Sequence, residues 1–291
     1  MGVEAVGLGK RFGETWGVRE VTLSVKAGSV AVLAGPNGAG KTTTTRILTT
    51  YYKPDKGWAR VCGFDVVREF REVRRRVAYL PQGYGVSGDL TPEELVVASL
   101  MIRGFSYFEA KRAAREWLEE LGLWEIRSRR LWVLSGGEKR RAVVASVLAE
   151  PAEVYFLDEP TTGIDVEGRY EVLRVIRRAA AKGATVFMTT HNLSEAQLAA
   201  DEVFFINAGR TVLSGKPSAL LEAFPWRYKA IADRGNGSLE GLPHLDLGDK
   251  VVIYAKARDE LFSLLGELKL TIYEVREVDL EDIYLHAVRV R

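Results

Sequence analysis

Gly35-Pro36-Asn37-Gly38-Ala39-Gly40-Lys41-Thr42 is the stretch on which the fold turns. It fits the pattern G-x-x-x-x-G-K-[ST]. The apolar run Val30-Ala31-Val32-Leu33-Ala34 precedes it and reads as a buried strand, and a helix is predicted from about Thr42. Glycines let the backbone curl so that several N–H groups point into one concavity. Closed by a helix N-terminus, that concavity binds phosphate oxygens. Lys41 adds positive charge for the β- and γ-phosphates. The Thr42 hydroxyl is placed to ligate Mg²⁺, and Thr43 after it belongs with the ATP-binding residues.

Downstream, Val154-Tyr155-Phe156-Leu157-Asp158-Glu159 is an apolar strand ending in two acids. Asp158 is suited to hold Mg²⁺ through water, and Glu159 to polarise an attacking water. A polar strand terminus is the plainer reading of such a run, but its pairing with the phosphate loop favours chemistry. His191 closes a third apolar run, Val186-Phe187-Met188, where a histidine serves either a γ-phosphate or the structure alone.

Between loop and acids lies Leu134-Ser135-Gly136-Gly137-Glu138, opening a helix expected to reach about Ala149. Ser135 and Glu138 form a capping box. Two glycines in the first turn weaken a helix, which capping does not explain. They do strip side chains from a positively polarised helix end, so that a phosphate meets backbone there.

Strands alternating with helices imply an α/β core with a mostly parallel sheet. Residues 1–83 and 150–221 are assigned to this core, which includes an N-terminal antiparallel β region. Residues 84–149 form an inserted helical block, in which Thr91, Pro92, Glu93 and Glu94 mark a helix start. Residues 222–291 form a small accessory α/β module. Lys53–Pro54–Asp55–Lys56–Gly57 reads as a turn, as does Arg234–Gly235–Asn236–Gly237.

Composition narrows the classes. Apolar residues at 47% and charged residues at 27% exclude a disordered chain. A net charge of +2 gives no reason to expect nucleic acid. The basic clusters Arg74–Arg75–Arg76, Arg127–Arg129–Arg130 and Lys139–Arg140–Arg141 read as solvated helix faces. One cysteine, Cys62, permits no intrachain disulfide. Met1–Ala5 lacks a signal-peptide pattern, and no window approaches about 18 consecutive apolar residues, so membrane work is expected to pass through a partner.

The signature stretch with Arg141, in its place between phosphate loop and acids, resembles the ABC signature. Gln82 in Leu80-Pro81-Gln82 resembles the Q-loop glutamine, Asp165 in Gly163-Ile164-Asp165 the D-loop, His191 the switch histidine, and Phe12 the adenine-stacking aromatic, often tyrosine. The resemblance covers about residues 3–220 and identifies a nucleotide-binding subunit of an ABC transporter. Asp279-Leu280-Glu281-Asp282-Ile283-Tyr284-Leu285 resembles the C-terminal segment of the ABC-2-type, drug-export-like subfamily.

The resemblance implies ATP and Mg²⁺, the metal held by Thr42, Gln82 and Asp158. Two cassettes would face head to tail, with Ser135, Gly136, Gly137 and Glu138 closing on the partner's ATP. Glu159 would be the general base on water, and His191 would position the γ-phosphate. An integral membrane permease would be the other partner, and the protein would sit on the cytoplasmic face of the membrane. A soluble single-cassette ATPase acting on ribosomes or nucleic acid is the competing class. A GTPase is disfavoured, since no Asn-Lys-x-Asp motif is present. The terminal module is left to assist dimerisation, to regulate, or to cover an edge.

Overall fold

A computed structural model describes residues 2–83, 88–234, 239, 241–268 and 270–289. The chain divides into two compact units, residues 1–216 and 217–291.

Among the described residues the first unit holds ten strands in one sheet, in the order β5-β4-β1-β2-β10-β9-β3-β8-β7-β6. One side is antiparallel: β1 (Val3–Phe12), β2 (Thr15–Val25), β4 (Lys56–Val61) and β5 (Phe64–Asp65). The other side is the P-loop core. There β3 (Val30–Ala34), β6 (Val77–Leu80), β7 (Val154–Asp158), β8 (Thr185–Thr190) and β9 (Glu202–Asn207) pair in parallel. The last strand, β10 (Arg210–Gly215), turns back along β9 and meets β2 through Arg210 and Glu20. Every residue of β3, β7 and β8 is buried, as expected of parallel strands covered on both faces. Their shared direction delivers the residues after each strand to one edge.

Helices α1 (Lys41–Leu48), α2 (Phe70–Arg76), α6 (Val166–Ala181) and α7 (Leu193–Ala199) belong to this core. The inserted block packs α3 (Pro92–Ile102), α4 (Tyr107–Glu120) and α5 (Gly136–Leu148) on one another. Thr91 accepts from the Glu94 N–H while Glu94 caps the Thr91 N–H, which fixes where α3 begins.

The Lys53–Gly57 stretch departs from the turn reading. Lys56 and Gly57 already lie in β4, and the register slips between Val6 and Gly9 opposite them. Gly57 has φ +70°, and a Cβ there would stand 2.2 Å from the Val6 carbonyl oxygen. The glycine serves a bulge inside a strand, which from sequence looks like a turn residue.

The second unit is a four-stranded antiparallel sheet in the order β12 (His244–Asp246), β13 (Lys250–Ala255), β11 (Tyr228–Asp233), β14 (Ile272–Glu277). Helix α8 (Pro217–Ala223) opens it. Helix α9 (Arg258–Leu268) packs Leu261 and Leu265 on Ala230 and Ile253 of one sheet face. On the other face α10 (Leu280–Arg289) meets Lys229 and Tyr254. Gly235, Asn236 and Gly237 of the expected turn lie outside the described residues.

Candidate functional site

The phosphate loop runs from the end of β3 to the start of α1. It has no room for side chains where the backbone must pass close. A Cβ on Gly35 would stand 2.2 Å from the Ile206 carbonyl oxygen. Gly40, at φ +107°, would place one 2.6 Å from the Gly17 carbonyl oxygen. Lys41 is 5% exposed. Its Nζ donates to the carbonyls of Gly35 (2.8 Å) and Pro36 (3.1 Å) and lies 3.4 Å from Glu159 Oε1.

Four groups converge on the Glu159 carboxylate. Besides Lys41, His191 Nδ1 lies 3.3 Å from Oε1, and the Thr162 hydroxyl (3.1 Å) and Gln82 Nε2 (3.4 Å) donate to Oε2. Burial pushes this carboxyl's pKa up. The His191 hydrogen bond, the Lys41 charge and Thr162 outweigh it, and the net shift is downward. Thr42 Oγ1 donates to Gln82 Oε1 at 3.5 Å, so the loop's hydroxyl, the amide and the acid form one chain.

Asp158 is fully buried. One oxygen accepts from the Thr189 hydroxyl at 2.6 Å, and the other, Oδ2, is buried with no hydrogen-bond partner among the described residues. Such an orphan suits a hard cation. Among the described residues no three His, Cys, Asp or Glu groups cluster as metal ligands. The oxygens of Asp158, Thr42 and Gln82 are hard donors of the kind a Mg²⁺ would take.

Phe12, 45% exposed, rests edge-on against Tyr52 with centroids 5.2 Å apart. A Cβ on Gly17 would meet its Cε2 at 2.9 Å, so a glycine gives the ring its seat. The signature lies elsewhere on the surface. Ser135 caps α5, accepting from Glu138 N–H at 3.2 Å while Glu138 caps Ser135 N–H at 2.7 Å. Around Gly136 a Cβ would meet nothing within 4 Å. Asp165 starts α6 beside Gly163 and Ile164, against which Gly137 packs. Among the described residues, neither the signature nor Asp165 hydrogen-bonds this chain's own phosphate loop.

A cavity of about 720 Å³ lies by the opposite strand ends, lined by Cys62, Glu153 and Tyr155 among others, away from the phosphate loop and Glu159.

The profile described as ABC transporter matches residues 18–162. The daunorubicin/doxorubicin resistance ATP-binding protein DrrA of Streptomyces peucetius is 36% identical over 290 residues, spanning 96% of this chain and 88% of that protein. The chain belongs to the ABC transporter ATP-binding family. The cassette also matches the Nod factor export ATP-binding protein I of Bradyrhizobium diazoefficiens at 30% identity over 98% of this chain and 95% of that one. A solved ATP-binding subunit of an ABC transporter superposes with a TM-score of 0.69 at 26% identity, over 76% of this chain and 92% of that one. A dimeric cassette in a post-hydrolysis state with ADP and Pi shares the fold, with a TM-score of 0.67 at 23% identity over 74% of this chain and 98% of that one.

As an ABC cassette the chain is an ATPase subunit, and among the described residues no helix is long and apolar enough to cross a membrane. Its site uses side chains that sequence reading passed over. Thr189 holds Asp158 and also accepts from the Glu159 N–H at 3.0 Å. Glu195, 3% exposed, accepts from Thr161 (2.9 Å) and Thr190 (2.7 Å), tying the loop after Glu159 to the strand before His191. Arg140, read as part of a solvated face, is buried in the cassette at 8% exposure. Arg141 is half-buried in an ion pair with Glu171. A run of basic residues looks solvated when their opposing carbonyls come from distant segments.

Proposed function

We propose that two such cassettes close head to tail on ATP, and that closure drives export through a separate membrane-spanning subunit. The observation that carries this is the convergence of Lys41, Gln82, Thr162 and His191 on Glu159 beside the orphaned Asp158 oxygen. The loop's amides and Lys41 grip the triphosphate. Glu159 accepts the proton of an attacking water, and His191 sits where it steadies the γ-phosphate or that water. Thr42, Asp158 and Gln82 would hold Mg²⁺, whose charge offsets that building on the phosphate oxygens. The partner's Ser135–Glu138 helix tip would cover the γ-phosphate. The bare Gly136 and the exposed, capped helix start suit that role.

The export direction rests on the similarity to resistance and Nod factor export proteins. That near-full-length likeness also sets the soluble ribosome- or nucleic-acid-acting class aside. The permease is expected to dock on the inserted helices, which expose Ile102 (85%) and Phe108 (83%) at the close of α3 and the start of α4. Apolar side chains that bare mark a partner's place. The protein would then sit peripherally on the cytoplasmic face.

Three experiments test this reading. Light scattering of the Glu159→Gln protein should show a dimer with Mg-ATP and a monomer without nucleotide, and a monomer in both conditions would sink the head-to-tail arrangement. Replacing Ile102 and Phe108 by Ser should abolish co-purification with the permease. Undiminished recovery would move the docking face elsewhere. For the base, Phe12→Ala should weaken ATP binding by about 1–3 kcal/mol, the size of an aromatic–base stack, as read by calorimetric titration. An unchanged Kd would mean the adenine lies off that ring.

A further inference from the structure

Arg140 lies in the second turn of the signature helix α5, and its guanidinium spans two loops that the proposed mechanism depends on. Nε donates to the Pro160 carbonyl at 3.2 Å. Nη1 donates to the carbonyls of Pro81 and Gln82, both at 3.3 Å. Nη2 donates to those of Asp158 (2.8 Å) and Glu159 (2.7 Å). Five carbonyls are thus served by one buried cation.

The two loops leave neighbouring strands. β6 and β7 run parallel with Leu80 opposite Leu157, and their ladder ends there. Residues 81–82 and 158–160 continue past it. Buried carbonyls without donors are costly, and charged donors serve them well. A lysine has no fork to reach both loops at once.

Glu159 makes the placement matter. It has φ +50°, a left-handed conformation that a non-glycine residue holds only when its surroundings enforce it. Thr189 fixes its N–H from one side, through both its backbone carbonyl (3.2 Å) and its hydroxyl (3.0 Å). Arg140 fixes its carbonyl from the other. The same guanidinium holds the backbone of Gln82, whose amide meets the Glu159 carboxylate at 3.4 Å.

We propose that Arg140 is a positioning residue, by which the signature helix sets the orientation of Glu159 and Gln82. Resting on the head-to-tail reading, this has a further consequence. Ser135 of the helix serves the partner's nucleotide, whereas Glu159 serves the chain's own. Arg140 then makes the base of one site sense whether the other is filled, and hydrolysis cooperative.

The test compares Arg140→Gln and Arg140→Lys with wild type, using full-length protein whose melting temperature is recorded. Expected for Arg140→Gln is a kcat lower by about 10- to 100-fold, the scale of an ångström-sized misplacement, with KM for ATP within about twofold. Its Hill coefficient for ATP should fall towards one. Arg140→Lys, which keeps the charge and part of the reach, should recover some of the kcat. An unchanged kcat would overturn the proposal. So would a KM that rises in step with the loss of kcat, or a loss that Lys does not relieve and that tracks melting temperature alone. If Glu159→Gln fails to dimerise with ATP while Arg140→Gln still splits kcat from KM, the head-to-tail reading is lost. Positioning within one protomer then stands.

Discussion

Glu159→Gln is expected to lower steady-state phosphate release by about 10²- to 10⁴-fold, the usual contribution of a positioned proton acceptor. The amide keeps the size and the hydrogen bonds of the side chain but takes no proton from water. Nucleotide affinity should move the other way. Lys41 Nζ lies 3.4 Å from Glu159 Oε1, both groups about 5% exposed, so the acid offsets part of the lysine's charge. Neutralising the acid frees Lys41 for phosphate. ADP titration separates the two effects, because ADP is not turned over: tighter ADP binding with lost turnover is the expected pair. Phosphate release within tenfold of wild type would remove Glu159 from the role of base. A pH profile adds a check on sign. With the Glu159 pKa depressed by His191, Lys41 and Thr162 against the upward push of burial, the base is ionised at neutral pH. Its activity should therefore fail only as pH drops below the ordinary carboxylate range.

A second large effect lies in the C-terminal unit. Lys229 is 3% exposed, its Nζ 2.5 Å from Asp282 Oδ2 and 3.1 Å from Asp279 Oδ2. Tyr254 donates to the other Asp282 oxygen at 2.9 Å. Lys229→Met would leave the buried Asp282 carboxylate without its cation, at a cost of about 3–5 kcal/mol to this unit. Hydrogen exchange is the suitable readout, since the chain has two units and no single unfolding transition is guaranteed. Amides of β11 and α10 should lose protection while those of β3 and β7 keep it. Pairing Lys229→Met with Asp282→Leu should restore most of the loss, because a buried pair replaced whole by apolar groups is often neutral. If the single substitution leaves exchange unchanged, the pair does not hold α10 to the sheet. Acid should loosen the same contact. The Asp279 carboxyl is raised by burial but lowered further by Lys229, so its share of stability is present above the unfolded carboxylate pKa and lost as pH falls through the depressed one.

The phosphate loop, the acids and the signature were legible because their work is done by backbone geometry within a few residues. Gly38 and Gly40 are called for by the loop's own positive φ angles, +78° and +107°, and Ser135 and Glu138 satisfy each other three residues apart. Thr189, Glu195 and Arg140 escaped for the opposite reason. Thr189 meets Asp158 across 31 residues, and Arg140 reaches back 59 residues to Pro81. Those meetings follow from the strand order β8-β7-β6, which no local pattern encodes. Lys229 was hidden likewise. It sits among apolar neighbours in β11, and its two aspartates arrive from 50 and 53 positions away. Gly57 shows a different limit, a bulge and a turn asking for the same residue.

The pairing of the loop's lysine with an acid of its own chain also bears on product inhibition. An orthophosphate ion that reaches only the ammonium must compete with a carboxylate already tethered beside it. A nucleotide wins that contest by recruiting the loop's amides through several oxygens together. A cassette built this way is expected to hold free orthophosphate weakly, so that added phosphate slows turnover little.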